Sequence, residues 1–223
     1  MKKGFDDPRG TMFFYIYEIL KEKRPKAFIL ENVKQLNNHN NGRTLNTILT
    51  LLNELGYYCQ TKVLVARDFG VPQNRERIII VGFLKNVDFI YPTSINVKTK
   101  VGDILEKNVD EKYTLSDKLW QGHLRRKKMH IEKGNGFGYS LFNENSPYTN
   151  TLSARYYKDG IEILIEQKGK NPRKLTPREC ARLQGFPETY KIVVSDNQAY
   201  RQFGNSVCIP LIKNVAQNVI KYM

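Results

Sequence analysis

Residues 27–33 read Ala-Phe-Ile-Leu-Glu-Asn-Val, and residues 77–84 read Arg-Ile-Ile-Ile-Val-Gly-Phe-Leu. The first is a compact apolar run that ends in polar residues, and the second is continuously apolar, as a strand covered on both faces should be. Around them the periodicity alternates. Thr11 to Lys23 carries Met12, Phe13, Ile16, Ile19 and Leu20 on one helical face and stops at Arg24-Pro25. After the polar stretch Asn37 to Arg43, residues Leu45, Ile48, Leu51, Leu52 and Leu55 fall at helical spacing, and Gly56 closes that helix as a C-terminal cap. Tyr58 to Ala66 is a further β-rich run. Helix, strand, helix, strand, strand predicts part of an open α/β sheet.

Past Lys85 the pattern weakens. Short strand-like pieces, the basic run His123 to His130 and the glycine-rich Gly134-Asn-Gly-Phe-Gly-Tyr139 predict a smaller, irregular domain. Order returns at Thr176-Pro177-Arg178-Glu179, a capping box with proline at the first helical position, which opens a helix ending near Gly185. Leu211, Ile212, Val215, Ala216, Val219 and Ile220 form one apolar stripe in the last helix. The domain reading is therefore 1–87, 88–195 and 196–223.

The whole chain has 223 residues, with 36 Lys and Arg against 22 Asp and Glu, a formal charge of +14. An excess of this size favours a polyanion, because neutralised phosphates release condensed counterions. Nucleic acid leads, with a generically basic protein as the plain alternative. The longest apolar stretch, Ile78 to Leu84, is too short for a membrane span and no apolar signal core opens the chain, so the expected setting is the cytoplasm. Cys59, Cys180 and Cys208 are widely spaced without a C-x-x-C, which encodes neither a disulfide framework nor a metal site.

Several short segments carry chemistry. Glu31 follows an apolar strand, where open α/β sheets bind ligands. Arg75 and Arg77, in Gln73-Asn-Arg-Glu-Arg77, fall on one side of a strand by the period-two rule, where two guanidinium forks clamp a phosphate or a base edge. Taken in order, Glu31-Asn-Val33, the Gln-x-Arg-x-Arg segment, Arg173 to Arg182 and Gln198-Ala-Tyr-Arg-Gln-Phe-Gly-Asn-Ser-Val207 closely resemble the later signature motifs of the DNA cytosine-5 methyltransferases. Gly4-Phe-Asp-Asp-Pro-Arg-Gly-Thr11, with Phe13-Phe14, resembles the segment just before the family's Glu-Asn-Val strand. The likeness runs over nearly the whole chain, with residues 88–171 its least diagnostic part.

The resemblance implies a partial S-adenosylmethionine-dependent methyltransferase sheet, Rossmann-like, with a target-recognition domain beside it. It implies methyl transfer from S-adenosylmethionine to C5 of cytosine in duplex DNA, in a restriction-modification setting. In such an enzyme Glu31 contacts N3 and the exocyclic amine of a flipped cytosine and helps protonate N3 as a thiolate adds to C6. Arg75 becomes a base and phosphate contact, and Arg77 supports the carboxylate and the target base. Asn205, Ser206 and Val207 match the segment that folds onto the cofactor pocket, whereas Arg178 and Arg182 are architectural. Thr151-Leu-Ser-Ala-Arg-Tyr-Tyr-Lys158 resembles a DNA-contacting segment, in which Arg155 reads guanine and Thr151, Ser153 and Lys158 hold phosphates. Arg125, Arg126, Lys127 and Lys128 are expected on the DNA backbone, with a solvated basic face as the alternative. The three glycines at 134, 136 and 138 allow either close approach to DNA or a mobile loop.

Two family features are missing from these residues: no F-x-G-x-G occurs, and no cysteine follows a proline. Each cysteine is expected to be an inert core thiol. The chain is thus expected to correspond to the C-terminal part of such an enzyme, to need an N-terminal fragment or subunit for the nucleophile and most of the cofactor pocket, and to be inactive alone. The competing expectation is a catalytically inactive, sequence-specific DNA-binding module.

Overall fold

The structure, a computed structural model, describes residues 12–223. The segment Gly4–Thr11 singled out above lies outside the described residues. In chain order the elements are α1 (Met12–Lys23), β1 (Ala27–Val33), α2 (Arg43–Glu54), β2 (Tyr58–Val65), β3 (Glu76–Phe83), α3 (Asp117–Glu132), β4 (Leu141–Phe142), β5 (Leu164–Gln167), β6 (Lys170–Lys174), α4 (Pro177–Leu183), α5 (Asp196–Asn205) and α6 (Ile209–Ile220), with short 3-10 turns between them. The chain is α/β, and its described residues divide into two compact units, residues 12–64, 76–93 and 213–223, and residues 65–75 and 94–212.

In the first unit the strand order is β1-β3-β2. β1 and β3 run antiparallel in unbroken register from Ala27 opposite Phe83 to Val33 opposite Arg77. Side chains alternate across a strand, and β3 is apolar at both parities, so both of its faces are covered. Ile78 and Ile80 join Leu20 of α1, Leu45, Ile48 and Leu52 of α2, and Phe28 and Tyr57 in one core cluster. Ile79, Val81 and Phe83 are equally buried. Here the Tyr91 hydroxyl donates to Ile79 O at 3.0 Å, and the rings of Phe89 and Tyr222 lie 5.6 and 6.1 Å from that of Phe83. Gly56 follows α2 at φ +82°, the left-handed conformation a helix stop favours.

The second unit is built around a sheet ordered β4-β5-β6, parallel between the first pair and antiparallel between the second. Its core joins Leu152, Tyr156, Ile163, Leu175, Cys180, Leu183, Tyr200 and Phe203, among others. The expected capping box is present: Thr176 Oγ1 accepts from Glu179 N, and the Glu179 carboxylate accepts from Thr176 N. That carboxylate is fully buried and takes a two-pronged ion pair from Arg173, with both contacts at 2.8 Å. Removing either partner would strand a charge away from water.

Gly204 and Asn205 end helix α5, which draws Tyr200 and Phe203 into the core. Two features differ from the sequence reading. The basic run lies on a regular helix, α3, whose Asp117 start is capped by Ser116 Oγ. Residues 65–75 and 196–212 pack in the second unit, although the sequence divides them otherwise.

Gly82 explains itself by packing: a Cβ there would lie 2.3 Å from the Phe28 ring. Gly82→Val should therefore lower stability by about 1–3 kcal/mol through overpacking, read as a lower urea midpoint at unchanged slope. An unshifted midpoint would mean that Phe28 does not pin β3 against β1.

Candidate functional site

Glu31 and Arg77 lie on the paired strands β1 and β3. Glu31 stands opposite Ile79, which makes Arg77 its diagonal neighbour two residues along on the same face. Arg77 Nε and Glu31 Oε1 are 2.7 Å apart, with side-chain exposures of only 13% and 21%. Burial draws the Arg77 guanidinium below its ordinary value, and the Glu31 carboxylate opposes that shift. The pair is a fixed, half-buried carboxyl group with one oxygen held by a rigid cation. Lys34 and Glu76 form an exposed ion pair in the same unit at 2.8 Å.

Arg75 has a different environment from the one expected. β3 begins at Glu76, so the period-two rule does not extend to residue 75. Its side chain is buried and donates to three main-chain carbonyls: Leu152 O at 3.1 Å, Gly204 O at 3.3 Å and Ser206 O at 2.7 Å. The two arginines are not a common clamp. Gln73, which the sequence reading passed over, completes this cluster. Its Oε1 accepts from Leu152 N at 2.9 Å, and its Nε2 donates to Leu183 O at 3.0 Å. Gln184, also unanticipated, donates to Phe203 O at 2.7 Å. Both glutamines are fully buried.

This cluster holds the two segments carrying most of the other expected site residues. In the first, the Thr151 hydroxyl donates to Asn74 O at 2.8 Å and the Ser153 hydroxyl to Glu162 at 2.6 Å. A hydroxyl has one proton to donate, and both are engaged within the protein. Ser153 Oγ also accepts from Arg155 N at 3.1 Å, which fixes the turn carrying Arg155. The side chains of Arg155 and Lys158 are exposed. In the second segment Asn205 and Val207 are exposed, and the half-buried Ser206 donates its hydroxyl to Phe203 O at 2.8 Å.

On α3 the basic run divides. Arg125 and Lys128 are exposed, whereas Arg126 lies 3.6 Å from Asp159. Lys127 turns inward: its Nζ sits 4.1 Å from the centre of the Tyr139 ring and 3.3 Å from Tyr139 O. Tyr139 in turn meets Trp120 edge to face at 4.6 Å. These contacts fasten the base of the glycine-rich loop to α3, while a Cβ added at Gly134 or Gly136 would meet nothing within 4 Å and Phe137 is 71% exposed. Arg182 holds Glu188 at 2.7 Å and Arg178 donates to Tyr190 O, both within the second unit.

A family profile described as C-5 cytosine-specific DNA methylase matches residues 1–221. The chain belongs to that family. Among its relatives, Type II methyltransferase M.SsoII of Shigella sonnei is 62% identical over 99% of this chain and 59% of its own length. M.NlaX of Neisseria lactamica is 64% identical over 98% of the chain and 70% of its own length. The chain thus spans about three fifths of M.SsoII and somewhat more of M.NlaX. Among solved structures, the methyltransferase EhMeth of Entamoeba histolytica aligns with TM-score 0.79 at 20% identity, over 98% of this chain and 70% of that one. S. pombe Dnmt2 aligns with TM-score 0.78 at 18% identity, over 98% and 74%. These two likenesses establish the methyltransferase fold.

Among the described residues no three His, Cys, Asp or Glu side chains are grouped to hold a metal ion, and no helix is long and apolar enough to cross a membrane. Burial raises the thiols of Cys59 and Cys208 to about 11, and that of the fully buried Cys180 well above its usual value. A thiol whose ionisation is raised stays protonated, and hence poorly nucleophilic, until pH approaches the raised value. In the folded chain, iodoacetamide at pH 8 should modify Cys180 and Cys208 far more slowly than in urea-unfolded chain, as counted by mass spectrometry. Rapid native labelling of Cys208 would contradict that burial.

Proposed function

We propose that the chain serves methyl transfer from S-adenosylmethionine to C5 of cytosine in duplex DNA, with the nucleophile and the glycine-rich cofactor loop supplied by polypeptide outside these residues. The observation that carries this reading is the Glu31–Arg77 pair, a half-buried carboxylate fixed by a cation at 2.7 Å on paired strands. Set against a flipped cytosine, Glu31 holds N3 and the exocyclic amine and passes a proton to N3 as a thiolate adds to C6, so that charge does not build up in the ring. Arg77 fixes the orientation of the carboxylate. Bound S-adenosylmethionine supplies the methyl group. Exposed Val207 and the Asn205 amide, beside the half-buried Ser206, offer apolar and polar surface suited to part of its binding wall. Arg155 reads a base edge, while Lys158, Arg125 and Lys128 hold phosphates.

A second reading, a DNA-binding module without turnover, is favoured by the three thiols, each raised by burial and none preceded by proline. One experiment decides between the two. The chain is mixed with a polypeptide carrying the glycine-rich loop and a Pro-Cys segment, and labelled methyl transfer to cytosine-containing duplex is measured. Activity should appear only in the mixture. Glu31→Gln should then lower turnover by about two to four orders of magnitude while duplex affinity changes little, since glutamine keeps an acceptor and loses the transferable proton. Equal turnover would remove Glu31 from the chemistry, and no turnover in any mixture would favour the binding module.

DNA recognition has a separate check. Arg155→Ala should cost about 1–3 kcal/mol on the preferred duplex and relax sequence preference, whereas Lys128→Ala should weaken all duplexes alike and lower the slope of log K against log salt by about 0.9. Selection from a randomised duplex library at fixed salt distinguishes them. Uniform loss in Arg155→Ala would make it a phosphate contact.

A further inference from the structure

We infer that Arg75 couples the DNA-recognition segment to residues 204–207, so that duplex bound at the first tightens the second. The inference rests on the assignment of residues 151–158 to DNA contact made above. One guanidinium reaches both segments, through Leu152 O on one side and Gly204 O and Ser206 O on the other. It is only 2% exposed, so water cannot replace a lost partner. A planar fork has fixed donor directions. If either segment shifts alone, a charge-assisted bond is broken in a dry site, and an unmatched buried donor costs more than the bond was worth.

Two further contacts act in the same sense. Gly204 touches the recognition segment directly, since a Cβ there would lie 2.3 Å from Ser153 O and 2.5 Å from Ala154 N. Gln73 fixes Leu152 N, so both polar backbone atoms of Leu152 are gripped by side chains two residues apart. The cheapest motion is therefore a joint one, in which segments some fifty residues apart in sequence shift together. Arg75 is on this account a positioning residue that acts through backbone carbonyls. By linkage, whatever residues 205–207 bind is felt at the DNA segment to the same degree.

Hydrogen exchange of the full chain, with and without a short cytosine-containing duplex, tests this. In the wild type, duplex should slow exchange at residues 151–158 and also at 203–209. In Arg75→Lys, which keeps the charge and loses the fork, slowing at 151–158 should remain while slowing at 203–209 falls several-fold or vanishes. A uniformly loosened fold would instead raise exchange in both segments whether or not duplex is present. Duplex-dependent slowing at 203–209 that persists in Arg75→Lys overturns the inference, as does its absence from the wild type when 151–158 are protected. If duplex protects neither segment of the wild type, the DNA assignment itself falls and the coupling with it. Should Arg75→Lys not fold, Arg75→Gln replaces it, and the wild-type pattern alone still overturns the inference when 203–209 do not respond.

Discussion

Leu152 is held by both ends of its backbone: its N–H meets Gln73 and its carbonyl meets Arg75. Much of the second unit depends on that grip. The residues on either side form no regular ladder: the Thr151 and Ser153 hydroxyls donate to Asn74 O and Glu162, and Arg155 N donates to Ser153 Oγ. A buried irregular segment must find a partner for each polar group, and here most of the partners are side chains. The result is a loop with the definition of a sheet strand but with Arg155 and Lys158 left outward. Tyr156, fully buried, finishes the arrangement by donating to Ile163 O and accepting from Leu175 N.

The first unit solves a different problem, how to keep a carboxylate half-buried in a sheet otherwise lined with Ile, Val and Phe. The antiparallel register does this by bringing Arg77 diagonally to Glu31. A register slip of one residue would send the two side chains to opposite faces. Gly82 opposes that slip, since it stands opposite Phe28 and any residue with a Cβ there would lie 2.3 Å from the Phe28 ring.

The elements whose evidence is local were legible in the sequence: α2 with its Gly56 stop, the apolar strands, and the Thr176–Glu179 box. Glu31 and Arg77 were legible as motif residues, although their diagonal contact was not, since register is set by pairing across some fifty residues. α3 escaped because it buries little more than His123 and so has no apolar stripe to read. At the end of α5 the lack of a side chain at Gly204 answers to the backbone of Ser153 and Ala154, a contact across some fifty residues that leaves no local signal. Arg75 lies one residue before the strand that carries Arg77, and its partners Leu152, Gly204 and Ser206 lie far along the chain and leave no local signal. Gln73 opens the Gln-x-Arg-x-Arg segment, but its partners Leu152 and Leu183 lie far along the chain, and Gln184 has no signature beyond its type.

The glycine-rich loop has a closed base and an open tip. Lys127, Tyr139 and Trp120 fasten one end of it to α3, and nothing in the protein occupies the space beside Gly134 or Gly136. Its tip is therefore a replaceable insert. Side chains can be exchanged at residues 136 and 137 without repacking a core, which separates the surface that folding leaves free from the part that it holds constant. The same separation makes residue 136 a natural point for grafting a reporter group onto an otherwise unaltered protein.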